Sequence, residues 1–249
     1  MPNLNTHTSV LLKQSIESLN INPNGIYIDA TFGRGGHSLN ILEKLDDNGK
    51  LFAIDQDPEA IEYANNHPVF SKDKRFKLLS ANFSELKNLC EQNKLCKKVN
   101  GILFDFGVSS PQLDQAIRGF SFLRDGPLDM RMDPTNGISC ADFIKELSES
   151  ELADILIDYG EEKFAKKIAR NIKEHLKSED ITNTLTLAKI IESSIPRKFH
   201  ERNKHPATRS FQALRIAVNK ELDVIKDVIL QLKDIIAPEG RVSFITFHS

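Results

Sequence analysis

Short, continuous apolar runs recur in the first half of the chain. Gly25-Ile26-Tyr27-Ile28, Lys50 to Ile54, Phe76 to Leu79 and Gly101-Ile102-Leu103-Phe104 predict four strands buried on both faces. Between them the apolar positions take helical spacing. Leu39, Leu42 and Leu45 follow the first strand, and Pro58 to Asn65 follows the second, with Pro58 in the first turn where its missing N–H does no harm. Ser84 to Leu95 predicts a further helix with Leu86, Leu89 and Cys90 inward. Ahead of the first strand, residues 7 to 20 read as an amphipathic helix with Val10, Leu11, Ile16 and Leu19 on its apolar side, and Asn22-Pro23-Asn24-Gly25 reads as a turn. Strands alternating with helices predict an α/β fold with a parallel sheet.

After Asp105 the pattern changes. Gly107-Val108-Ser109-Ser110-Pro111-Gln112 is too small and polar for a strand and too Pro-broken for a helix, so a loop is expected at the mouth of the fourth strand. From Asp114 to about Arg209 only helical signals occur. They include the capping box Ser148-x-x-Glu151 ahead of Leu152, Ile155 and Leu156. The stripe Phe164, Ile168, Ile172, Leu176 reads as core, with Lys163, Lys166, Lys167, Arg170 and Lys173 as a solvated face. From Phe211, positions Leu214, Val218, Leu222, Ile225, Ile229, Leu232 and Ile236 predict one long helix, stopped by Pro238-Glu239-Gly240 and followed by a fifth strand, Arg241 to Phe247. The domain organisation predicted is residues 1–113 as the first part of the α/β domain, 114–209 as an all-helical insert, and 210–249 as the second part.

Composition narrows this little. The 249 residues are 40% hydrophobic and 27% charged, as in ordinary globular proteins, and the net charge of −2 means that any basic surface is local. The densest basic stretch, Arg197 to Arg209, is either a solvated loop or a contact for RNA phosphates. Cys90, Cys96 and Cys140 form no metal spacing and suit a reducing compartment. No apolar run is long enough for a membrane span, and Met1-Pro2-Asn3-Leu4-Asn5 lacks a signal-peptide core. A cytoplasmic protein without membrane contact is expected.

The chemistry gathers at the strand ends. The first strand runs through Asp29 into the glycine-dense turn Thr31-Phe32-Gly33-Arg34-Gly35-Gly36-His37 and then a helix, a layout that cradles nucleotide-like cofactors and also serves as a plain βα turn. Ser38 stands where the dinucleotide fingerprint has its third glycine. Asp55 ends the second strand about twenty residues on, where an acid takes the hydroxyls of a ribose. Asn82-Phe83 follows the third strand and Asp105 ends the fourth, so one crevice is lined by these ends. No phosphate loop is present. An adenosine ligand without a pyrophosphate fits, and S-adenosylmethionine is the commonest.

Several longer stretches carry a resemblance. They are His7 to Leu12, Asp29 to His37, Asp105 to Asp114, Arg118-Gly119-Phe120-Ser121-Phe122, Arg124 to Asp133, Tyr159-Gly160-Glu161-Glu162, His205 to Arg209 and Phe247-His248-Ser249. Together they resemble the MraW/RsmH family of bacterial small-subunit ribosomal RNA cytosine-N4 methyltransferases. The resemblance implies a Rossmann-like class I S-adenosylmethionine-dependent methyltransferase sheet with an all-helical inserted domain. It implies methylation of the exocyclic N4 of one cytidine in the decoding region of 16S ribosomal RNA, within the small ribosomal subunit. Gly35, Gly36, His37, Asp55, Phe83, Asp105 and Gln112 are then expected around the cofactor, with Asp105, Ser110 and Pro111 at the chemistry and Arg202, Lys204, His205 and Arg209 against RNA. No metal is required for direct displacement at a sulfonium methyl. Amino-methyltransferases of DNA carry D/S-P-P-Y at this loop, and Ser110-Pro111-Gln112 departs from it. Asp125, Asp129, Arg131 and Asp133 are substrate contacts or a salt-bridged turn. The family continues with Leu-Glu-Asp-Arg where this sequence stops at Ser249, so its last two strands are expected to be missing and the open edge to favour association, a homodimer included. Two other readings stay open: a non-catalytic RNA-binding module of the same fold, and a nucleotide-dependent oxidoreductase.

Overall fold

A computed structural model describes residues 11–246; the start of the predicted first helix, at 7–10, and the terminal Phe-His-Ser lie outside the described residues. Its contacts divide the chain into two compact units, Met1–Ser109 with Asp223–Ser249, and Ser110–Leu222.

The first unit is a Rossmann-like sheet. In chain order it holds α1 (Leu12–Ser18), β1 (Ile26–Asp29), α2 (Gly36–Leu42), β2 (Lys50–Asp55), α3 (Pro58–Asn66), β3 (Phe76–Ser80), α4 (Leu86–Gln92) and β4 (Val99–Asp105). Each strand pairs in parallel, in the order β3-β2-β1-β4 and then a fifth strand beside β4. The winding reverses between β1 and β4, and such a switch point opens a crevice at the strands' carboxyl ends. Period-two alternation supplies both faces of the core. Leu51 and Ala53 join Ile41, Leu42, Ala60 and Ala64 on one side, while Phe52 and Ile54 join Leu86, Cys90, Val228 and Ile235 on the other. In α1, Ile16 and Leu19 are buried as their spacing predicts, but Leu11 is 54% exposed because it precedes the helix in a left-handed conformation.

The helical unit comprises α5 (Ser110–Asp114), α6 (Cys140–Glu146), α7 (Glu149–Asp158), α8 (Ala165–His175), α9 (Thr184–Ser194) and α10 (Thr208–Val218). Gly107 to Ser109 are irregular as predicted, but Ser110 to Gln112, also predicted as loop, open a short helix, since Pro111 sits in its first turn, where no N–H is required of it. The capping box closes α7: Ser148 Oγ accepts from the Glu151 N–H, and the Glu151 carboxylate accepts from the Ser148 N–H. Ile168 and Ile172 of the α8 stripe are fully buried. Lys173 is not a solvated lysine. Its ammonium donates to the Ile144 and Lys145 carbonyls at the end of α6, 2.7 and 3.1 Å away, and burial holds its pKa below the usual lysine range.

The 124–133 run is a salt-bridged turn. Arg131 meets both oxygens of Asp129 at 2.8 and 2.6 Å. Burial raises the Asp129 pKa, but these bonds outweigh it and leave the carboxyl below its ordinary range. Asp125 accepts from the Leu185 N–H, and Asp133 from Thr135 and Asn136.

The single long helix expected from Phe211 onward is two helices, α10 and α11 (Glu221–Ile235). Lys220, at φ 50°, breaks the path, and Asn219 beside the break is tied to the 130–132 segment: it donates to the Met130 carbonyl at 2.7 Å and accepts from the Met132 N–H at 2.8 Å. Consequently α10 packs on α6 and α7 and groups with the helical unit up to Leu222, past the boundary at 209 that the sequence suggests. The fifth strand, β5 (Ile236–Ile245), also starts earlier than expected. Ile236 already pairs with Val99, and the ladder resumes at Arg241 opposite Gly101, so Pro238-Glu239-Gly240 forms a bulge in the strand, with Glu239 at φ 63°.

Candidate active site

At the switch point the glycine turn is clamped by two carboxylates. Asp55 Oδ2 accepts from the Gly33 N–H at 2.7 Å, and its Oδ1 from the Asp57 N–H at 2.9 Å. Asp29, fully buried, accepts from Ser38 Oγ at 2.7 Å and from the Thr31 N–H at 3.2 Å. Gly33 and Gly35 adopt φ of +55° and +71°, and a Cβ on Gly35 would stand 2.4 Å from the Phe70 ring. The glycines are therefore demanded by the turn itself. Burial pushes the Asp55 carboxyl up to about 6, and it raises Asp29 as well.

His37, in the first turn of α2, is 4% exposed and faces Asp105 across the crevice. Its Nε2 lies 3.6 Å from Asp105 Oδ2, outside hydrogen-bond reach. Both His37 Nε2 and Asp105 Oδ1 are buried and have no hydrogen-bond partner among the described residues. The Asp105 backbone is pinned, because its N–H donates to Thr31 Oγ1 at 2.7 Å. At the neighbouring ends Asn82 donates to Gln56 Oε1 at 2.7 Å, and Phe83 lies edge-on to Phe104 and tilted against Phe106, with ring centroids 5.8 and 5.7 Å away. The sheet unit thus brings Gly35, Gly36, His37, Asp55, Phe83 and Asp105 to one set of strand ends. Ser110, Pro111 and the buried Gln112 lie in α5 of the helical unit.

Within the helical unit a cleft of about 120 Å³ is lined by Glu162, Phe164, Phe199, Glu201, Lys204, His205 and Arg209 among others. Three of the four residues expected against RNA are there, and Arg202 is exposed outside its lining. Arg209 pairs with Glu201 at 3.0 Å, and His205 stands 4.0 Å from Glu192 and packs on Phe122. Phe164 and Phe199 add an aromatic pair with centroids 5.1 Å apart, the Phe199 ring 52% exposed and Lys198 5.0 Å over it. Glu201 was not foreseeable from spacing alone as the counter-charge of Arg209.

Elsewhere burial pushes the Cys90 thiol up to about 12 and that of Cys140 up further, and no group of three or more potential metal ligands gathers among the described residues. No helix among them is long and apolar enough to cross a membrane.

The profile of the MraW methylase family matches residues 4–249. The chain belongs to that family. A ribosomal RNA small subunit methyltransferase H from Hydrogenovibrio crunogenus is 51% identical over 98% of this MraW family chain and 76% of its own length. Among solved structures, an rRNA methylase from Streptococcus thermophilus aligns over 55% of this chain and 78% of its own at 16% identity, with a TM-score of 0.30. A geranyl diphosphate methyltransferase in complex with SAM aligns over 90% and 81% at 11% identity, with a TM-score of 0.31. The turn from Asp29 to His37 is held from either side by Asp29 and Asp55. Asp29 itself was visible in the sequence only as a strand-end acid; its work is to hold Ser38 and Thr31.

Proposed function

We propose that this chain transfers a methyl group from S-adenosylmethionine to the exocyclic N4 of a cytidine in the decoding region of 16S ribosomal RNA, acting in the cytoplasm on the small ribosomal subunit. The observation that carries this reading is the unsatisfied pair His37 Nε2 and Asp105 Oδ1 at the switch point, in a chain 51% identical to a small-subunit methyltransferase H. A buried ring nitrogen and a buried carboxylate oxygen left without partners are costly until a ligand satisfies them. The residues around them suit the cofactor. Each Asp55 oxygen already accepts one backbone N–H and keeps a second lone pair for a ribose hydroxyl. Phe83 offers the adenine a ring edge, and Gly35 and Gly36 keep the backbone close.

The bound cofactor supplies a methyl carbon on a sulfonium. The protein's task is then to orient a weak nucleophile, because the cytosine amine shares its lone pair with the ring. Asp105 accepts an N–H of that amine and directs it in line, and Ser110 and Pro111 open the helix that follows. Lys204, His205 and Arg209, with the exposed Arg202, hold RNA phosphates, while Phe164 and Phe199 give an unpaired base a stacking face. The target base must leave any stack it occupies before it reaches Asp105. The test is a labelled-methyl assay on small subunits lacking the modification, with the product nucleoside identified by mass spectrometry. N4-methylcytidine is expected. Binding of the subunit without methyl transfer would instead favour a non-catalytic module.

A further inference from the structure

The neighbours of His37 determine which of its ring nitrogens carries hydrogen. Ser15, in α1, is 4% exposed, and its Oγ stands 3.0 Å from the Leu11 carbonyl, 3.0 Å from the Leu12 carbonyl and 3.3 Å from His37 Nδ1. A serine hydroxyl has one hydrogen to donate and lone pairs with which to accept. The two carbonyls, both closer than the ring and both acceptors only, take that hydrogen. The Ser15 oxygen is then left to accept, and among the described residues the hydrogen within its reach on the ring side is one on His37 Nδ1. A neutral imidazole with hydrogen on Nδ1 has a bare lone pair on Nε2. That lone pair faces Asp105, whose Oδ2 is 3.6 Å away and whose Oδ1 has no partner among the described residues. A bare lone pair this close to a carboxylate is repelled by it, and a guest carrying N–H hydrogens relieves both.

We propose that Ser15 is a positioning residue that holds His37 as the Nδ1–H tautomer, so that His37 Nε2 and Asp105 Oδ1 together receive an amine or ammonium group. This rests on the crevice holding S-adenosylmethionine. Two guests share the chemistry: the α-ammonium of the cofactor and the exocyclic amine of the target base. Ser15 acts through His37 and touches neither.

The experiment has two readouts. Imidazole ¹⁵N spectra of the full chain, taken where the ring is neutral, should show His37 with hydrogen on Nδ1, and Ser15→Ala should move the ring toward the other tautomer. A merely structural Ser15 would leave that signature in place. The second readout compares binding of S-adenosylhomocysteine with that of its analogue lacking the α-amino group, by calorimetry on the wild type and His37→Phe. If the cofactor ammonium is the guest, the wild type should prefer the amine-bearing ligand by about tenfold and His37→Phe should lose most of that preference. If the base amine is the guest, the preference should persist in His37→Phe while single-turnover methyl transfer falls by about tenfold. An Nε2–H tautomer in the wild type overturns the proposal, and so does a His37→Phe chain with both preference and transfer unchanged. Failure of the wild type to bind S-adenosylhomocysteine at all would strike the cofactor reading, while the tautomer still tests the role of Ser15.

Discussion

In the crevice of the sheet unit the polar groups are held by backbone: Asp55 grips Gly33 and Asp57, Asp29 grips Thr31, and the Asp105 N–H is tied to Thr31. In the cleft of the helical unit charges stand on long side chains, and Arg209 is half answered by Glu201. The first arrangement is pre-organised, since strand ends cannot move without breaking the ladder. The second is adjustable and open to solvent, so its charges are screened by salt. A small ligand needs fixed geometry, whereas a folded polyanion needs charge that can adapt.

The sharpest break between the two regions should come from Asp105→Asn. Methyl transfer should fall roughly a hundred- to ten-thousandfold, with RNA affinity unchanged. Single-turnover assays beside filter binding read both. A chain that keeps its rate would place the acceptor elsewhere.

Asp55→Ala should weaken cofactor binding by about 1.5–3 kcal/mol, since ribose hydroxyls lose a charged acceptor. Because Gly33 then also loses its partner, the unliganded chain should lose about 1 kcal/mol of stability. Calorimetry and a thermal melt separate the two losses. A melt that shifts while affinity holds would reduce Asp55 to a clamp of the turn.

The same residue gives a pH signature. Its carboxyl is raised from 3.8 to about 6, so the unfolded chain ionises first. The stability this group contributes is full below the unfolded value and is lost as pH rises through about 6. Cofactor affinity should run the other way, because the ionised form accepts hydroxyls: the dissociation constant should rise as pH falls through about 6. Calorimetry on either side of that value tests it. A flat profile would mean that another group holds the ribose.

Replacing Arg202, Lys204 and Arg209 together by Ala should leave cofactor affinity alone and flatten the salt dependence of RNA binding, by up to about 2–3 in the logarithmic slope. An unchanged slope would make this stretch a solvated loop. The smallest effect is expected from Ser148→Ala, which removes the α7 cap: about 1 kcal/mol of stability, with no change in either binding.

Much of the crevice was legible in the chain because strands in a parallel sheet are buried on both faces, which makes each an uninterrupted apolar run. The residues just past such a run sit at the strand's carboxyl end, so Asp55, Asn82-Phe83 and Asp105 could be placed from the chain alone. The break between α10 and α11 was not legible. Apolar steps of three and four pass straight through Asn219-Lys220, as both helices bury a periodic face and neither glycine nor proline marks the bend. Pro111 misled in the opposite direction, since proline interrupts a helix only past its first turn.

By itself, then, the sequence determined the α/β alternation, the strand-end acids, the glycine turn, the capping box and the family. All of these depend on neighbours close along the chain or on runs whose period reports burial directly. Only the tertiary structure decided that Ser15 meets His37 from twenty-two positions away, that His37 and Asp105 stand 3.6 Å apart without bonding, that Arg209 is countered by Glu201, and that Lys173 caps α6. Those contacts join elements whose approach is set by packing against a common core. A side chain's hydrogen-bonding partner across such a contact leaves no periodic trace in either segment.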